Sequence, residues 1–67
     1  MELKQLKKGL RYCNMNGVYR FVSCGFLGKE QKALFFICEY DDDLNRYEET
    51  SNFVFMDEEE TLTLTLA

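Results

Sequence analysis

The dipeptide Asn16-Gly17, set between "LRYCNM" and "VYRFVSCGFL", constrains the fold of this chain more than any other feature. Asn-Gly tolerates the two positive φ angles that a type I′ hairpin turn requires. The runs on either side are rich in β-branched and aromatic residues, which suit a pleated, half-buried surface. The pattern predicts an antiparallel hairpin from Leu10 to Leu27 that turns at Asn16-Gly17. In its second arm Val18, Val22, Cys24 and Phe26 share one face with Arg20, and Tyr19, Phe21 and Leu27 take the other. Gly25, inside that arm, is expected to mark a bulge or a sharp bend.

Beyond the polar connection "GKEQK", the run "ALFFICEY" is apolar on both faces. Leu34, Phe36, Cys38 and Tyr40 point one way; Ala33, Phe35 and Ile37 point the other. Such a strand is covered on both sides or lies at the centre of a strongly curled sheet. "DDDLN" breaks it, and "RYEET" and "NFVFM" return as strands. The hairpin so formed is expected to set Glu39 opposite Arg46. After a second break at "DEEE", the segment "TLTLTLA" alternates Leu62, Leu64 and Leu66 with threonines. It reads as a half-buried edge strand with Leu62 and Leu64 inward, able to extend into a symmetric homodimer. Residues 2–9 fit either a short helical face of Leu3, Leu6 and Leu10 or a coil. Five or six short strands predict one all-β domain over residues 1–67, an SH3-like barrel or a strongly bent antiparallel sheet, with a short helical turn at its start.

The stretch "KGLRYCNMNGVYRFVSCG", followed by "LFFICEY", resembles a small SH3-like domain family of unknown function found in bacteria and phages. The shared positions are Gly9, Tyr12, Gly17, Tyr19 and Val22, then Tyr40. The resemblance covers about half of the chain and lacks the family's histidines and its Trp-x-Arg-Pro residues. It implies an SH3-like fold and no catalytic activity.

Charge is distributed unevenly along the chain. Residues 1–34 carry seven Lys and Arg against two acids, a balance of +5; residues 35–67 carry Arg46 against ten acids, a balance of −9. Two acidic runs, "EYDDDLNRYEET" and "DEEE", give a candidate acidic face of Asp41, Asp42, Asp43, Glu48, Glu49, Asp57, Glu58 and Glu59. Such a face suits a basic protein partner. An EF-hand frame starting at Asp41 has Arg46 where glycine is needed and Asn52 where the bidentate glutamate is needed, so no metal site is expected there. The alternative is a nucleic-acid face in which Lys8, Arg11, Arg20, Lys29 and Lys32 track phosphates while Tyr12 and Tyr19 stack on bases.

The chain has no histidine and no glycine-rich phosphate loop, so ordinary Ser-His or Cys-His nucleophiles are excluded and no cofactor is expected. A chain of 67 residues also leaves little room for a pocket. Cys13, Cys24 and Cys38 form no Cys-x-x-Cys pair and read as three small buried hydrophobes in a reducing compartment. The first ten residues carry charges throughout and lack the apolar core of a signal peptide, which predicts a cytoplasmic protein without a membrane partner. Together these features predict a non-enzymatic binding domain. Its small size and acidity suit a phage or mobile-element accessory factor that inhibits a host enzyme or defence system.

Overall fold

The computed structural model describes every residue from Met1 to Ala67. Five strands form one antiparallel sheet: β1 (Arg11–Asn14), β2 (Gly17–Leu27), β3 (Glu30–Asp41), β4 (Arg46–Met56) and β5 (Thr65–Leu66). Their order across the sheet is β4-β3-β2-β1-β5. A 3-10 turn, Leu3–Gln5, precedes the sheet, and a single helical turn, α1 (Glu58–Thr61), links β4 to β5. The all-β reading and the early helical turn are the architecture observed.

One face of the sheet holds the core. Tyr12, Phe21, Ala33, Phe35 and Met56 line it, and Leu3, Leu6 and Leu64 cover it from the two flanking segments. Phe21 and Phe35 meet at a tilt with ring centroids 5.4 Å apart, and Tyr19 meets Phe35 edge-on at 6.1 Å. The flanking segments are tied together by the Met1 amino group, which donates to the carbonyls of Thr61 and Leu64 at 2.8 and 3.1 Å. Core residues therefore come from the odd positions of β2 and β3, as the two-residue period of a strand requires.

The strands carry irregularities where the sequence did not signal them. The first hairpin exists, but its turn lies at Met15-Asn16: Asn14 pairs with Gly17, and Gly17 has no positive φ. The Asn14 side-chain oxygen accepts from the amides of Asn16 and Gly17, and that bracket replaces the glycine-dependent turn. Gly25 is paired normally with Lys32; the bulge falls at Val22, between Phe21 and Ser23. Gly9 takes a φ of 85° before β1, Tyr12 is 1% exposed, and Gly17 closes the hairpin.

A larger break curls the sheet. Between the pairs Phe36↔Phe53 and Cys38↔Glu49, β4 inserts three residues, Thr50 to Asn52, opposite Ile37 alone. Thr50 Oγ1 donates to the Ile37 carbonyl at 2.7 Å and accepts from the Asn52 amide, which fixes the bend. Past this point Arg11 on β1 donates from Nη1 to the Tyr47 carbonyl on β4 at 2.9 Å. In a flat sheet these strands stand three spacings apart, roughly 14 Å. An arginine crosses that gap only if the sheet curls, and so a side chain bridges the two outer regions where no ladder does.

The tail departs from its alternating pattern. Strand structure is confined to Thr65–Leu66, paired with Tyr12 and Cys13. Leu64 is 2% exposed, whereas Leu62 is 60% exposed and Leu66 is also exposed. The cause is local: Asp57 accepts from the Glu60 amide, and the Glu60 side chain accepts from the Asp57 amide, a reciprocal capping box that starts a helix. Thr61 and Thr63 then donate to the carbonyls of Glu58 and Glu60, holding the turn. A helical turn rotates Leu62 away from the face that Leu64 enters. No helix is long and apolar enough to cross a membrane.

Candidate protein-binding surface

The β3–β4 hairpin is built around an aspartate-bracketed turn. Asp41 pairs with Arg46, and its Oδ1 accepts from the amides of Asp43 and Leu44 at 2.9 and 3.3 Å. Asn45 closes the loop at a φ of 54°, a left-handed geometry that asparagine tolerates. Tyr40 donates to the Asn45 side chain and stacks edge-on against Tyr47 at 5.3 Å. The expected opposition of Glu39 and Arg46 does not occur. Glu39 faces Glu48, and Arg46 reaches along its own strand to Glu48. Two opposed glutamates repel, so the arginine offsets a local cost.

This register concentrates charge at one end of the molecule. Glu39, Asp41, Asp42, Asp43, Glu48 and Glu49 line a shallow concavity with Tyr40 and Thr50. Glu49 is paired with Arg20 at 2.9 Å and Glu48 with Arg46; the other four carboxylates have no ion-pair partner. Asp42 and Asp43 stand fully in the solvent-exposed loop.

The second acidic run is elsewhere. Met56, just before it, pairs with Ala33, while Arg46 pairs with Asp41. Eight residues of β3 separate the two positions, about 27 Å. Asp57, Glu58 and Glu59 share their surroundings with Lys29 and Gln31, and Glu58 and Glu59 also line a groove with Lys4. The eight acids of the expected single face thus divide into a hairpin group of Asp41, Asp42, Asp43, Glu48 and Glu49 and a separate group of Asp57, Glu58 and Glu59 beside lysines.

The alternative basic face is also dispersed. Tyr12 lies in the core, where its Oη accepts from the Lys7 amide at 2.9 Å, so its ring cannot stack on a base. Tyr19 packs against the core. Arg11 and Arg20 are engaged with β4, Lys32 pairs with Glu30 at 3.2 Å, Lys8 lies in an exposed turn, and Lys29 lies in another beside the acids that follow β4.

Two further readings change. Cys38 is buried, Cys13 is half-buried and Cys24 is exposed, so only Cys38 is the expected buried hydrophobe. Burial pushes the Cys38 thiol up; nearby Arg11 and Arg20 pull it down, and Glu49 and Glu48 push it up. The fold also has more concave space than its length suggested. A groove of about 810 Å³ runs between the 3-10 turn and α1, floored by Leu3, Leu6, Phe21 and Cys24. Sequence reasoning missed the arginine bridge from β1 and β2 to β4, because nothing local in Arg11 or Arg20 reports contacts so far along the chain. Compared with known proteins, the chain matches no family model, no curated protein and no solved structure.

Proposed function

We propose that this chain is a non-enzymatic binding domain whose acidic β3–β4 hairpin engages a basic surface on a protein partner. The observation that carries this reading is the concentration of six carboxylates at one end, four of them without an ion-pair partner. Unpaired exposed charges contribute little to folding, yet they steer association with an oppositely charged surface. The hairpin is also anchored: Arg20 holds Glu49, and Arg11 holds the Tyr47 carbonyl. A preorganised tip loses less conformational freedom on binding.

Carboxylates held on a curled hairpin suit a site that otherwise receives phosphates. An inhibitor of a host nucleic-acid-handling enzyme, encoded by a phage or mobile element, is the biological role that this chemistry fits best. The nucleic-acid-binding alternative draws no support from Tyr12, which is buried. The test is capture of partners from nuclease-treated lysate by the tagged chain at low salt, followed by a salt gradient. The reading expects a basic protein that is released as salt rises, since exposed charge pairs are screened. Recovery of nucleic acid in its place from untreated lysate, or a protein whose retention ignores salt, would contradict it.

A further inference from the structure

The two outer strands of the sheet are protected unequally. β5 is two residues long, and short edge strands offer little backbone to another chain. The first half of β4 carries Arg46, Glu48 and Glu49, and its Tyr47 carbonyl is occupied by Arg11. Thr50 to Asn52 form the irregular bend, with the Asn52 amide donating to Thr50 Oγ1. These are the devices that blunt an edge. Residues 53–56 have none of them. They make no hydrogen bond outside the β3 ladder, and the run Ser51–Met56 has no charge and no proline. Alternate amides and carbonyls along such a strand point outward unpaired. Phe53 and Phe55, stacked edge-on at 5.7 Å, are 58% and 43% exposed.

We propose that a second copy of this chain docks on this open stretch, its β4 running antiparallel about a two-fold axis at Val54. A two-fold interface must be self-complementary. The segment is: an axis at Val54 sets Phe53 opposite Phe55 of the second copy, and Phe55 opposite Phe53. Aromatic cross-strand pairs of this kind are favourable. The ladder also brings no like charges together, because an axis at Val54 pairs residues 52–56 with one another and none of these is charged. The area fixes the strength. Each phenylalanine buries about 150–250 Å² when fully covered, so the exposed parts of the two give about 200 Å² per copy. With the backbone ladder this stays below the roughly 1,200 Å² of a stable interface. The dimer is therefore weak and forms at high concentration. The inference is independent of the acidic-hairpin reading, because the two surfaces lie on opposite sides of the Thr50–Asn52 bend.

Sedimentation velocity of the native chain, from about 10 µM to about 1 mM, tests it. The sedimentation coefficient is expected to rise with concentration. The variant Phe53→Lys/Phe55→Lys, altered at exposed positions, is expected to weaken the dimer by at least about tenfold. Register is read by oxidation of single cysteine variants. A mixture of Phe53→Cys and Phe55→Cys chains should cross-link above the native background, and each variant alone should not. If the double lysine variant is unfolded, the cysteine mixture decides by itself. A native chain that stays monomeric at 1 mM would overturn the proposal. So would a folded lysine variant that dimerises like the native chain, or cross-linking no greater in the mixture than in either variant alone.

Discussion

At the β3–β4 turn, Asp41 brackets two amides while Asp42 and Asp43 stand in water; in the run that follows β4, Asp57 and Glu60 hold each other's backbone amides in a capping box. Both regions look alike in composition. They differ in what comes next. The turn at Asp41 leads into a strand whose start is exposed, whereas the turn at Asp57 delivers Thr61 and Leu64 into the core. A carboxylate is structural when a buried element depends on the backbone group it holds, and it is free to meet a partner when none does. Charge density alone does not separate the cases.

The comparison breaks most visibly at Leu64. Truncating this fully buried side chain to alanine should destabilise the fold by about 2–5 kcal/mol, read as a fall in the urea midpoint. Removing the cap should come next. Asp57→Ala leaves the Glu60 amide at the start of α1 without its partner and should cost about 0.5–2 kcal/mol. If Asp57→Ala melts with the native chain, the second run is as free as the first and the distinction fails.

At the hairpin end the effects should be smaller. Arg20→Ala removes a half-exposed ion pair and should cost under about 1 kcal/mol. Its clearer signature is chemical. Cys38 is buried and feels the charges of Arg11, Arg20 and Glu49, and alkylation of its thiol in the native chain should be slow compared with the exposed Cys24. Loosening the bridge should speed Cys38 alkylation without unfolding the domain, read at alkaline pH so that loss of the arginine charge that pulls the thiol down does not offset it. Equal rates at Cys38 in the native chain and the variant would show that the arginine does not hold the curl.

How much of this was legible in the sequence depends on how local each signal is. The strand pattern of residues 11–41 was, because alternating apolar residues report a sheet face directly. The capping box was also present as Asp57-x-x-Glu60, a pattern that marks a helix start. The alternation of "TLTLTLA" drew attention away from it, since leucine spacing says nothing about the turn that precedes it. Asn14, not Asn16-Gly17, governs the first hairpin, because a side chain two residues earlier can satisfy the turn amides without a positive φ. The division of the acids could not be read at all. It follows from an eight-residue length of β3 between two pairings that only the folded register defines. The openness of Phe53–Met56 likewise depends on β4 standing at the edge of the sheet, which only the strand order defines.

The central claim is that the hairpin acids recognise a partner and the acids after β4 do not. It is tested most directly by capturing partners with two charge-reversed chains side by side: Asp42→Lys/Asp43→Lys and Glu58→Lys/Glu59→Lys. Asp42→Lys/Asp43→Lys should melt within about 0.5 kcal/mol of the native chain, because it alters exposed loop positions. The account predicts that this chain loses the salt-sensitive protein partner and that the Glu58→Lys/Glu59→Lys chain keeps it. Equal loss from both, or loss only from the Glu58→Lys/Glu59→Lys chain, would contradict it.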